Sequence, residues 1–192
     1  MTISGERLDS VVAEAVAGSR DALREVLETI RPLVVRYCRA RVGTAERSGL
    51  SADDVAQEVC LAAITALPRY KDQGRPFLAF VYGIAAHKVA DAHRAQGRNK
   101  SDPMDVVPER LSGEAGPEQM AIDSESAARM ATLLQVLPEK QREILILRVV
   151  VGMSAEETAD AVGSTAGAVR VAQHRALGKL KAEIMATGRD HA

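Results

Sequence analysis

Long apolar runs are missing from this 192-residue chain, and none approaches the roughly 18 residues that a membrane span needs. The N-terminus carries Glu6 and Asp9 and has no apolar signal core, so a cytoplasmic protein is expected. Cysteine is scarce. Cys38 and Cys60 stand alone in helical apolar contexts, with neither zinc-site spacing nor a disulfide framework, and read as reduced core thiols. A charge excess is missing too: 25 Lys and Arg against 26 Asp and Glu leave a net charge of −1 and a pI near 6.4. A free-standing DNA binder leans on phosphate neutralisation and is usually basic. A DNA binder of this composition either binds weakly alone or has a partner that supplies the phosphate contacts. There is no strand alternation and no internal repeat. There is no nucleophile elbow, phosphate-binding glycine loop or carboxylate cluster beside a base, and these absences argue against an enzyme, a cofactor or a small-molecule substrate. His87 and His93 are six apart and face different ways on a helix, so no metal pair is expected.

What is present is helical periodicity. Residues 8–17 form a short helical pattern broken by Gly18 and Ser19. From Asp21 to Arg41, Leu23, Val26, Leu27, Ile30, Val34, Tyr37 and Cys38 recur at helical spacing, predicting one long amphipathic helix with a kink at Pro32. Gly43 to Gly49 reads as a turn-rich break. Ser51 and Asp54 then have the spacing of a capping box. On the helix that follows, Val55, Val59, Ala62 and Ala66 form the inner face, and Asp54, Gln57, Glu58, Leu61 and Thr65 the opposite stripe. On spacing alone that stripe reads as a solvated face before a docking surface. Pro68 ends the helix.

Four of the protein's five aromatics, Tyr70, Phe77, Phe80 and Tyr82, fall between residues 70 and 82. His87, Lys88, His93, Arg94, Arg98 and Lys100 follow, against the single acid Asp91. Rings beside cations suit single-stranded nucleic acid, since every base offers a π-face and every nucleotide a phosphate. Rings also sit where the core is, and Phe77 is expected to be buried.

Residues 101–126 contain three prolines, two glycines and seven acids against one base, Arg110, and read as a flexible acidic linker. Beyond it, Ala127 to Val136 is helical, with Met130, Leu133, Leu134 and Leu137 directed inward. Pro138 opens the next helix, and Ile144, Leu145, Leu147 and Val150 continue the inward face. Ser154 and Glu157 make a second capping box, and Gly163 supplies the left-handed stop. Ser164 caps a longer helix on which Val169, Ala172, Ala176 and Leu180 share one side, and Arg170, His174, Arg175 and Lys181 the other. A capped helix, a glycine turn and a second helix without acids from 164 to 182 make the plan of a DNA-reading helix-turn-helix. The plainer reading is an amphipathic helix with a solvated basic face. The expected fold is all-α, with two helical modules joined by the acidic linker.

The order of these segments resembles the extracytoplasmic-function sigma factors of bacterial RNA polymerase, in the sigma-70 family, and is similar to their actinobacterial sigma-D type. DDVAQEVCLAA (53–63) is similar to the family's segment that docks on the polymerase β′ clamp helices. PFLAFVYGIAAHKVADAHR (76–94) resembles its promoter −10 segment. LPEKQREILILR (137–148) with GAVRVAQHRAL (167–177) resembles its −35 reading domain. The resemblance implies residues 1–97 as the module for core polymerase and −10 DNA, 98–126 as linker and 127–192 as the −35 module. It implies core contacts from Asp54, Gln57, Glu58 and Leu61. For −10 DNA it implies Tyr70, Phe80, Tyr82, His87, Lys88 and Arg94. For −35 DNA it implies Ser164, Thr165, Arg170, His174, Arg175 and Lys181. The partners it implies are core polymerase (β′ clamp helices and β flap), promoter DNA and a membrane-anchored anti-sigma factor. Phe80 stands where the family usually has Trp, and Ala86 where it often has Arg. The competing reading is a stand-alone helix-turn-helix regulator, which accounts for residues 127–188 but not for the two-module layout. A helical enzyme or scaffold accounts for the first module only as a generic bundle.

Overall fold

The computed structural model describes residues 5–42, 51–72, 74–99, 129–130 and 132–187. Among these there is no strand. The turn-rich break at 43–49 and the acidic linker lie outside the described residues.

Helix α1 (Gly5–Val16) ends at Gly18, whose φ of 102° is the left-handed conformation that releases the chain. Ser19 then caps α2 (Arg20–Val42), its hydroxyl accepting from the Ala22 amide at 3.2 Å. Helix α2 runs unbroken through Pro32, which lies on its exposed side. Helix α3 (Ala52–Ala66) begins with the expected capping box: Ser51 Oγ accepts from the Asp54 amide, and Asp54 accepts from the Ser51 amide. Its buried face is turned from the expected one. Ala56 and Ala63 are buried beside Val55 and Val59, while Ala62 and Ala66 are only half-buried. A 3₁₀ turn, Leu67–Arg69, carries Pro68. Helix α4 (Phe77–Asn99) is started from another element, because Asp9 of α1 accepts from the Phe77 amide at 2.9 Å.

In the second module α5 (Glu139–Leu145) continues into a π-helical stretch, Ile146–Val151, closed by Gly152 at φ 90°. Pro138 is the residue before this helix rather than its first, and its ring fixes the extended approach. Met130 and Val150, expected inward, are 54% and 37% exposed. Helix α6 (Ala155–Val162) has both arms of its capping box and stops at Gly163, φ 61°. Helix α7 (Ala166–Thr187) follows.

Nothing in the sequence sets how the modules sit on each other. In the structure they share a core. Val34, Tyr37 and Cys38 of α2 belong to the same buried cluster as Ile146, Leu147, Val151 and Met153. Helix α2 packs on the π-helical stretch and α4 packs on α6. Burying this apolar surface is the main stabilising term, at about 25 cal/mol per Å² removed from water.

Candidate nucleic-acid interface

The helix-turn-helix unit is built from local chemistry. Within α6, Ser154 Oγ accepts from the Glu157 amide at 3.0 Å and Glu157 Oε2 accepts from the Ser154 amide at 2.7 Å. After Gly163, the Ser164 amide donates back to the Ala159 carbonyl at 2.9 Å, which closes the turn. The cap of α7 is Thr165, not Ser164: its Oγ1 accepts from the Ala168 amide at 3.2 Å. Ser164 spends its amide on the turn and so lies one residue outside the helix.

Val169 and Ala176 are fully buried on the inner side of α7, and Ala172 and Leu180 half-buried. Arg170, His174, Arg175 and Lys181 are exposed on the outer side. These positions sort as the period requires, while Val171, Leu177, Ile184 and Met185 of the same helix are also exposed. Arg170 is held by Glu156 of α6 at 2.6 Å, with both side chains largely exposed. A backbone N–H and the Arg170 guanidinium keep the Glu156 carboxyl below its ordinary range. Lys179, a further cation of this helix, is diverted to structure, its Nζ donating to the Val136 carbonyl at 2.6 Å. Arg148 orients the inner side, with Nε donating to Gln173 Oε1 at 3.0 Å and Nη1 to the Met153 carbonyl.

In the first module Gln57, Glu58, Leu61 and Thr65 form an exposed stripe on α3, with Leu61 56% exposed. Asp54 lies on the same side, but its carboxylate is folded back onto the Ser51 amide and hydroxyl. Asp53, its neighbour, is clamped by Arg39 through two 2.9 Å bonds, which hold its carboxyl below the usual range. Glu58 is paired with Lys88 of α4 at 2.9 Å, and that bond raises the lysine's pKa. The expected polymerase stripe and the expected −10 segment thus meet at an ion pair.

Tyr70 and Phe80 are half-buried, their rings 5.2 Å apart and both against the buried Phe77. They face an open groove of about 1060 Å³ edged by Arg69, Lys71, Arg75 and Lys88. Rings and cations are together here, as stacking of unpaired bases requires. Arg69, Lys71 and Arg75 are the contributors that sequence reasoning passed over. Their signal was in the stretch RYKDQGRPF, around Tyr70 rather than after the aromatics.

Tyr82 does not join them. It is 2% exposed, with its ring edge-on to Tyr37 at 5.4 Å, so it offers no face to a base. Burial, above all, raises the pKa of its hydroxyl. His87 is exposed, with Nδ1 3.0 Å from the Gly83 carbonyl. Arg94 is exposed and paired with Asp91 one turn away. Cys38 is buried and Cys60 half-buried, both pKa values raised chiefly by burial. Among the described residues no helix is long and apolar enough to cross a membrane.

Residues 26–99 match the family model for sigma-70 region 2, and residues 127–180 that for sigma-70 region 4. The chain is 78% identical over 188 residues to the ECF RNA polymerase sigma factor SigD of Mycobacterium tuberculosis (strain ATCC 25618 / H37Rv), covering 98% of this chain and 89% of that protein. To the ECF RNA polymerase sigma factor ShbA of Streptomyces griseus it is 49% identical over 179 residues, covering 91% of this chain and 94% of that one. Among solved structures, CnrH in complex with the cytosolic domain of CnrY aligns with a TM-score of 0.67 at 27% identity, over 92% of this chain and 96% of that one.

Proposed function

The chain belongs to the extracytoplasmic-function sigma factors, which direct bacterial RNA polymerase to promoters, and we propose that its two modules divide that work by the surfaces described above. The exposed α3 stripe of Gln57, Glu58 and Leu61 docks on the β′ clamp helices of the core enzyme. Asp54 supports the stripe by starting the helix. The groove beside Tyr70 and Phe80 takes unpaired −10 bases, with Arg69, Lys71, Arg75 and Lys88 on their phosphates. His87 and Arg94 extend that basic side along α4. Arg170, His174 and Arg175 of α7 read the −35 duplex in the major groove, while Thr165 and Lys181 meet phosphates. The second module also sits on the β flap, and the acidic linker, which with α4 running to Asn99 begins after residue 99, runs along the polymerase between the modules.

The observation that carries this reading is the placement of side chains on α7, with Val169 and Ala176 buried against the module and Arg170, His174 and Arg175 exposed to solvent. The near-neutral net charge supports a division of labour in which polymerase supplies the non-specific affinity. In this reading the protein works in the cytoplasm with no catalytic site, cofactor or small-molecule substrate of its own. CnrH has been solved with the cytosolic domain of CnrY. By that likeness this chain too is restrained by an anti-sigma factor, anchored in the membrane.

The test is a binding titration with core polymerase followed by promoter-directed transcription. A stand-alone regulator would bind a palindrome as a dimer and need no polymerase. Activity that requires core enzyme separates the two.

A further inference from the structure

Among the outer-side cations of α7, Arg170 differs from the rest. His174, Arg175 and Lys181 are exposed and have no hydrogen-bond or ion-pair partner among the described residues. Arg170 Nη2 donates to Glu156 Oε1 at 2.6 Å, reaching from α7 to the first turn of α6. The two side chains are 60% and 63% exposed. An ion pair so open to water adds little to stability, because solvent and salt screen it and two long side chains lose freedom in making it. Its contribution to folding is therefore small.

Glu156 has a fixed base to act from. Ala155 and Thr158, on the same turn, are buried, and the Ser154 capping box pins the start of the helix. The other acids of α6 are engaged elsewhere. Glu157 accepts from the Ser154 amide within that box, and Asp160 edges the groove beside Tyr70 and Phe80. Helix α7 supplies no acid between 164 and 182, so the carboxylate that meets its outer side comes from α6. Negative charge on a first turn is favoured by the helix dipole, which keeps Glu156 an ionised acceptor.

An arginine side chain has many rotamers, and freezing it on a base costs entropy. A guanidinium carries five N–H donors, and Glu156 takes one from Nη2. The remaining donors are enough for the N7 and O6 acceptors on a guanine edge. Anchoring the guanidinium before DNA arrives removes part of the ordering cost and fixes where those donors point. The same carboxylate repels phosphates, which disfavours a slip of Arg170 onto the backbone. We propose that Glu156 is a positioning residue that aims Arg170 at a guanine of the −35 duplex and so sets base preference at one position. This rests on the −35 reading of α7 above.

The experiment uses holoenzyme assembled from core polymerase and the full chain, with a duplex pool randomised over the −35 element of a promoter that wild type transcribes. Bound duplexes are sequenced for wild type, Glu156→Ala, Glu156→Gln, Arg170→Ala and the double variant Glu156→Ala/Arg170→Ala. Glu156→Ala should lower the preference about threefold to tenfold at the base pair that Arg170→Ala relaxes, the cost of ordering one mobile side chain, and leave the other positions as they were. Glu156→Gln keeps an acceptor at the same reach and should lose less. In the Arg170→Ala background, removing Glu156 should change nothing at that pair. Helical circular dichroism should be the same throughout. A merely structural Glu156 would weaken every position together, with or without Arg170, and that result overturns the positioning role. So does a Glu156→Ala profile identical to wild type. A steeper preference in Glu156→Ala overturns it as well, since Glu156 would then withhold Arg170 from the base. If Arg170→Ala itself leaves the profile unchanged, or wild type selects no −35 sequence, the assignment of Arg170 as a base reader falls and the positioning role falls with it. A shifted Arg170→Ala profile beside an unshifted Glu156→Ala profile removes the positioning role alone.

Discussion

Thr158 offers a stringent check on the packing behind the reading unit. It lies on α6, is fully buried, and its hydroxyl has no hydrogen-bond partner among the described residues. A buried hydroxyl left unpaired costs about 1–3 kcal/mol. Replacement by valine keeps the branched shape, removes the polar atom and adds a methyl group, so Thr158→Val should stabilise the fold. In a chain of this size each kcal/mol moves the melting temperature by about 2–4 °C. The expected rise is therefore about 2–8 °C, discounting the top of the desolvation range for the slight shape change. Differential scanning calorimetry reads it directly, and affinity of the holoenzyme for promoter DNA should be unchanged because Thr158 faces no solvent. A lowered melting temperature would refute the reasoning, since it would mean that the hydroxyl is bonded in solution to a group or water that stabilises α6.

Four further outcomes are expected. Gln57→Ala combined with Glu58→Arg should weaken binding to core polymerase with circular dichroism unchanged; retained affinity removes this stripe from the interface. Arg170→Ala should relax base preference at one −35 position, by about 1–3 kcal/mol for the lost guanine contact, whereas Lys181→Ala should weaken binding evenly across sites; identical sequence profiles for wild type and Arg170→Ala would show that Arg170 reads no base. Purified chain at physiological salt should bind duplex DNA poorly, and a tight sequence-specific gel shift contradicts this. For the thiols, burial pushes Cys38 up to about 12 and also raises half-buried Cys60. An alkylating reagent at pH 8 should therefore take Cys60 first and Cys38 only on unfolding. Because the folded thiols hold their protons more tightly than the unfolded chain does, their contribution to stability is full below pH 9 and declines above it. Rapid loss of both thiols from the native protein would contradict the burial of Cys38.

What could be read from the sequence was local. Both capping boxes, Ser51 with Asp54 and Ser154 with Glu157, were legible because their bonds span three residues. The sides of α7 were legible because Val169 and Arg170 differ so strongly in polarity. Small residues carry less information. On α3 the choice between Ala56 and Ala62 as the buried alanine rests on crossing geometry, which hydrophobic spacing does not contain. Thr165 rather than Ser164 caps α7 because the glycine turn consumes one residue more than the Ser signal allowed. Tyr82 looked like a base-stacking ring by its company with Phe80, yet two residues along a helix is about 200°, and the ring turns inward to Tyr37. The partners of Glu143 were beyond reach, since nothing local to 143 points to residue 37 or 41.

In vitro run-off transcription with purified core enzyme shows whether this chain confers promoter choice on polymerase through two separate surfaces. Core enzyme plus wild-type chain should give a discrete transcript that neither gives alone. The transcript should be lost with Gln57→Ala/Glu58→Arg through failed core binding, and reduced with Arg170→Ala through weaker promoter binding while core binding persists. A transcript unchanged by both variants, or specific promoter binding that needs no polymerase, would contradict a division of labour between these two surfaces.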